Sequence, residues 1–198
     1  MKYTLPIFAL IFLLFGCAAE EKKQPPVSDG ELLLRIDKEI AQLNTDHKLK
    51  LYWENINRLD QLYRKKESAI VQQYGHGSKE YKDIWEQINK TDEINLLKTE
   101  KLLAKYGHPK KDSLGRKAAY TPFIVIHHSN SYEAKERNFP YLYRAYKNGD
   151  LDDDGFSFYL NRMYSMKFGE RMTVGGVYRE EERIAELIEK LGLETGGP

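Results

Sequence analysis

Cysteine is almost missing from this chain of 198 residues: Cys17 is the only one. A single thiol excludes an internal disulfide framework and the paired-cysteine zinc sites of small domains. Neither charge sign is in surplus, with 31 Lys and Arg against 30 Asp and Glu. Without a basic excess the chain lacks the electrostatic grip that nucleic-acid binding needs. There is also no glycine loop of the kind that cradles phosphates and no nucleophile elbow. No cofactor is therefore implied. What the chain has in quantity is charge of both signs, interspersed, together with 14 tyrosines. That composition suits long, solvated helices better than a thin antiparallel sheet.

The N-terminus carries Lys2, an apolar run from Leu5 to Phe15, and then the small residue Gly16. This order is that of a secretory signal, and the run falls short of the ~20 apolar residues a spanning helix needs. Leu14-Phe15-Gly16-Cys17 resembles the bacterial lipobox, in which the cysteine thiol receives a diacylglycerol and becomes the new N-terminus. The plainer alternative is an ordinary signal peptide followed by an incidental cysteine. Lys2 is the only charged residue ahead of Cys17, so removing the leader leaves the two signs balanced. The expected division is a signal peptide over 1–16, a lipidated Cys17 and polar tether over 17–28, and one domain over 29–198. Pro25-Pro26 and the absence of apolar periodicity mark the tether. Some 170 residues suffice for one domain with a real core and hardly for two. The expected location is the bacterial envelope: the inner or outer membrane, with the domain in the periplasm or at the cell surface. Acyl chains on Cys17 make the membrane the one partner legible from composition.

An all-α fold is predicted for the domain. Ser28 and Glu31 have capping-box spacing ahead of a helix from about Asp29 to Leu43. Asn44-Thr45-Asp46 breaks it. A second helix, His47 to Tyr74, carries Leu49, Tyr52, Ile56, Leu59 and Tyr63 at alternating steps of three and four. Gly75-His76-Gly77 ends it, and Ser78 caps a third helix reaching Tyr106, with Tyr81, Trp85, Ile88, Leu96 and Leu103 along one side. Two long helices joined by so short a turn should pack antiparallel. Lys110 to Lys117 reads as a loop. Tyr120 to Ile126 could be a strand by propensity or a helix starting near Thr121 with Pro122 in its first turn. Helices follow over Tyr132 to Asn148, bent or interrupted at Pro140, over Gly155 to Lys167, and over Arg179 to Leu191. The last should expose its Glu and Arg residues and bury Ile184, Leu187, Ile188 and Leu191.

Polar residues on apolar faces are the main functional signal. Asp60 and Arg64 lie one turn apart on the side of Trp53 and Ile56, and Asp92 and Asn95 share the face of Trp85, Ile88 and Leu96. Each would cost ~1–3 kcal/mol if buried without a partner. They either satisfy one another as a network that sets helix register, or form the floor of a site. His127 and His128 follow an apolar run, but neighbours on a helix point ~100° apart, which argues against one metal held by both. No metal site is expected. Asp150, Asp152, Asp154 and Gly155 copy the first half of a calcium loop; the second half fails, with Ser157 and the neutral Asn161 at the positions that should be apolar and bidentate acidic. An acidic turn with Asp154 capping the next helix is the simpler account.

Taken in order, these pieces resemble the bacterial family catalogued as domain of unknown function 6624, over about Leu59 to Gly192. The matching stretches are Asp60-Gln61 with Arg64, Asp92 with Asn95, Tyr106-Gly107-His108-Pro109, Gly115, His127-His128-Ser129-Asn130, Phe139-Pro140-Tyr141-Leu142 with Gly149-Asp150, and Leu160-Asn161-Arg162. The resemblance implies a helical domain, which favours a helix over Tyr120 to Ser129, and brings no established activity. Asn130 and Asn161 stand where the family has carboxylates, and His127 replaces its first motif residue. Met172 and Val174-Gly175-Gly176-Val177 replace a closing Gln and Tyr-Gly-Thr-Gln. An amide cannot serve as a general base. The expected function is thus a lipid-anchored envelope protein whose domain binds an envelope protein or a small ligand. The expected binding residues are Asp60, Gln61, Arg64, Asp92, Asn95, His127, His128, Asn130, Asn161 and Arg162. The alternative is a hydrolase or group-transfer enzyme in which His128 carries the proton beside Asp60, Arg64 and Arg162.

Overall fold

The computed structural model describes residues 28–172 and 179–195. The signal segment, Cys17, the tether ahead of Ser28 and Val174-Gly175-Gly176-Val177 lie outside the described residues. Among the described residues the chain forms helices and no strands: α1 (Asp29–Ala41), α2 (Asp46–Tyr74), α3 (Lys79–Tyr106), α4 (Lys111–Leu114), α5 (Arg116–His128), α6 (Tyr132–Lys147), α7 (Asp153–Phe168) and α8 (Glu180–Leu191). None is long and apolar enough to cross a membrane.

Side-chain caps set most of the helix starts. The Ser28 hydroxyl accepts from Glu31 N at 3.3 Å, Thr45 from Lys48 N at 3.2 Å, Ser78 from Tyr81 N at 3.1 Å and Ser131 from Ala134 N at 3.0 Å. Each satisfies one amide that the first helical turn leaves without a partner. The acidic turn before α7 is used the same way, with a correction: Asp152, not Asp154, is the cap, accepting from Gly155 N at 2.9 Å. Asp150 meanwhile accepts from Lys111 N at 2.7 Å at the start of α4. Two of the three carboxylates of the half calcium loop are thereby committed to backbone amides.

α2 and α3 form an antiparallel pair. Tyr52 on α2 faces Lys98 on α3, whereas Arg64, three turns further along α2, meets Asp92, which is earlier on α3. The line of α2 that is buried is Trp53, Ile56 and Asp60, offset by one position from the Tyr52–Leu59–Tyr63 stripe that periodicity suggests. On α3 the buried line runs through Ile84, Ile88, Asn95, Thr99 and Leu102. Both lines begin apolar and turn polar midway.

α5 lies against α2, α3, α4, α6 and α7, and it is the most enclosed element, with Ala118, Ala119, Phe123, Val125 and Ile126 all in the core. It resolves the choice between strand and helix for Tyr120 to Ile126 in favour of helix, and it starts five residues before the expected Thr121. Lys111–Leu114, read as loop, is a single helical turn, and Gly115 between the two turns adopts φ 85° and ψ 159°. That conformation, open to glycine alone, lets a new helix begin at Arg116. Pro122 therefore sits in the helix interior, where its missing N–H leaves the Ala118 carbonyl without a helical donor. α6 likewise runs uninterrupted through Pro140. α8 packs on α7 through Ile184, Leu187 and Leu191. Lys167 of α7 donates to the Leu191 carbonyl at 2.7 Å and closes the end of α8.

Candidate functional site

The site begins where the α2 stripe turns polar. Asp60 is 2% exposed, and both of its oxygens are engaged. Oδ1 meets His128 Nδ1 of α5 at 2.9 Å, and Oδ2 accepts from the Gln61 amide at 2.7 Å. Arg64, one turn on, brings its Nε to 3.6 Å from Asp60 Oδ2 and sends Nη2 across to α3, where it lies 2.7 Å from both oxygens of Asp92. Three helices are thus joined by one chain of polar contacts: His128, Asp60, Arg64, Asp92. Burial pushes the Asp92 carboxyl above the ordinary range, Arg64 draws it back, and the nearby Asp60 adds to the rise.

A carboxylate can only accept, so the Asp60 contact places a proton on His128 Nδ1. The opposite nitrogen, Nε2, makes no hydrogen bond to the described residues. The His128 side chain is 23% exposed. It lines a pocket of about 390 Å³ with Asn89, Asp92, Glu93 and the Ser129–Asn130–Ser131 turn. Arg162 of α7 holds one of these lining residues, donating Nη2 to Asn130 Oδ1 at 3.2 Å.

His127 goes elsewhere, as expected for its neighbour on a helix. Its ring stacks on Phe158 of α7 with centroids 4.3 Å apart and lies 5.6 Å from the Phe123 ring. Its Nδ1 is buried without a hydrogen-bond partner. Burial pushes its pKa down to about 3, and the cations Lys135 and Arg162 press the same way. Asn161 also stands apart from the Asp60 network: its amide donates to the carbonyl and hydroxyl of Ser157, at 2.9 and 3.3 Å. It lines a second pocket with His127 and Arg162. Asn95 departs further from expectation. It is buried on the face expected, yet its Nδ2 has no hydrogen-bond partner, so it sits beside the network without joining it.

Two positions escaped the sequence reading. Lys135 of α6 is 0% exposed and donates to the carbonyls of Ile126 and His127 at 2.6 and 2.7 Å, tying off the C-terminal end of α5 directly behind the histidine pair. Burial pushes its pKa down to about 7, with Arg162 adding to the fall and Asp92 opposing it. The signal was available, since Lys135 precedes Phe139 and Leu142 by four and seven residues and so falls on their buried stripe. Arg183, expected to be exposed, is half-buried and faces the second pocket, because it lies one turn before the buried Leu187.

No group of three or more His, Cys, Asp or Glu side chains among the described residues is placed to hold a metal ion. The chemistry that the arrangement can perform is hydrogen bonding and proton movement: a half-exposed imidazole oriented by a buried carboxylate, beside a paired guanidinium and two amides. Comparison of the chain with known protein families, with curated proteins and with solved structures finds no match to any of them.

Proposed function

We propose that this chain is a lipid-anchored protein of the bacterial envelope whose helical domain binds a small polar ligand in the pocket beside His128. The resemblance of its motifs to the domain of unknown function 6624 family belongs to the same proposal. One observation carries the binding reading. Asp92, His128 and Asn130, from separated stretches of chain, line one pocket, and each is held by a partner from a further stretch: Asp92 by Arg64, His128 by Asp60 and Asn130 by Arg162. A network serving register alone has no need of a cavity, and about 390 Å³ lies within the range of small-ligand sites rather than of a flat protein interface.

The full chain, screened by NMR against polar small molecules of the envelope such as sugars and short peptides, should shift the His128 ring resonances first. His128→Ala should weaken any such ligand at least tenfold. A ligand that binds equally well to that variant would refute the assignment. Attachment through Cys17 is checked by fractionation: Cys17→Ala should move the protein from the membrane fraction to the soluble one, and a variant that stays with the membrane removes the anchor.

A second reading rests on the 2.9 Å contact between Asp60 and His128. A carboxylate that orients an imidazole and stabilises its protonated form is the arrangement of a general acid–base pair, with Nε2 delivering or accepting the proton. In that case Asp60→Asn would abolish turnover of a ligand found by the screen while leaving its binding within a few-fold, and an unaltered rate would remove the enzyme.

A further inference from the structure

The second pocket, of about 360 Å³, is lined from the end of α5, from α7 and the residues after it, and from the first turn of α8. Its described walls hold three guanidinium groups, from Arg162, Arg171 and Arg183, and no carboxylate. Their existing partners are few. Arg162 spends one nitrogen on the neutral Asn130, and its Nε is buried without a hydrogen bond. Among the described residues Arg183 has only Glu180 as an acidic partner, at 3.8 Å, and its Nε is likewise buried and unbonded. Arg171 is exposed and has no carboxylate partner among the described residues. His127, 6% exposed, adds a ring nitrogen that is buried without a partner, and Ser165 adds a hydroxyl.

Gathering like charges around a shared cavity is unfavourable, and leaving buried N–H groups unbonded costs more. A bound anion removes both penalties at once. We infer that this pocket is a binding site for a small phosphate monoester. A carboxylate carries one charge and is satisfied by a single guanidinium fork, whereas a phosphate monoester presents three terminal oxygens and close to two charges, which matches three forks. The cavity is too large for the phosphate alone. Phe158, 60% exposed and stacked on His127, and Met172 supply an apolar wall for the organic part of the ester. This site shares Arg162 with the His128 pocket through the Asn130 contact, but its other guanidinium groups, Arg171 and Arg183, belong to it alone.

The test is calorimetric titration of the full chain with phenyl phosphate, and separately with inorganic phosphate and benzoate. The expected result is saturable one-to-one binding of phenyl phosphate, tighter than either smaller probe and weakened as salt is raised. Arg171→Ala and Arg183→Met should each reduce affinity at least tenfold. Arg171 is exposed, so its variant folds normally, and Arg183→Lys, which keeps the charge but not the fork, should fall between. Lys79→Ala removes a remote surface charge and should leave binding unchanged. No saturable binding of phenyl phosphate, or the same affinity in Arg171→Ala and Arg183→Met as in the parent chain, overturns the site.

Discussion

His127 and His128 are adjacent in the chain and opposite in physics. The carboxylate of Asp60 holds the proton on the Nδ1 of His128, whereas His127 is enclosed between Phe123 and Phe158 with its Nδ1 unbonded. The consequence for stability has a definite sign. An unfolded histidine takes up a proton near its ordinary pKa of 6.5, and folded His127 does so only near 3. The folded state is at full strength above 6.5 and loses ground as pH falls from 6.5 toward 3, by about 2 kcal/mol at pH 5. His108, pushed down to about 4 mainly by burial, acts in the same direction, and the raised Asp92 acts in the other. Urea unfolding of His127→Phe beside the parent chain removes those shared contributions. The variant should show a shallower loss of stability between pH 6.5 and 4.5, and parallel curves would show that His127 is not held neutral by the fold. At this scale the sequence identified most of the participants by a simple rule, polar residues where periodicity calls for apolar ones. It marked Asn95 by the same rule, but whether a buried amide finds a partner depends on what the facing helix presents, and no spacing along α3 contains that.

At the level of elements, helices were legible wherever a cap and a periodic stripe coincided, as for α1, α2 and α3, and α8 was legible from its stripe alone. The helices α6 and α7 were also expected, near their observed bounds, whereas two prolines and a glycine obscured the continuity of α6, the start of α5 and the turn of α4. Pro122 and Pro140 both sit inside helices, where local preference counsels a break. Burial of α5 against five neighbours overrides that preference in the first case. Gly115 did not announce its role, because a glycine in a polar stretch fits a loop as well as a hinge between two helical turns. Its φ of 85° with ψ of 159° is a region that side chains avoid, although an added Cβ would meet nothing nearer than Lys50 Cε at 3.7 Å. Gly115→Ala should therefore cost about 1–3 kcal/mol through backbone strain alone. Thermal unfolding measures it; a variant as stable as the parent would show that the junction of α4 and α5 adopts another path.

Across the whole molecule, the pieces that meet at the His128 pocket are far apart in sequence. Arg64 and Asp92 are separated by 28 residues, Asp60 and His128 by 68, and Asn130 and Arg162 by 32. The turn at Gly75-His76-Gly77 foretells the first of these meetings, because it folds α3 back along α2. The other two depend on α5 threading between the long pair and α7, a choice of topology that helical periodicity leaves open. Lys135 and the inward-facing Arg183, by contrast, lie on the buried stripes of their own helices and were within reach of periodicity. The central claim, that charged groups of separate helices are coupled across the fold, is tested most directly by a double-mutant cycle on Arg64 and Asp92. Unfolding free energies are measured for the parent chain, Arg64→Met, Asp92→Asn and the double variant. The arrangement predicts a coupling of about 1–3 kcal/mol, with each single change costing more than its share of the pair. Additive effects, with a coupling indistinguishable from zero, would mean that Arg64 and Asp92 do not meet and that the site does not exist.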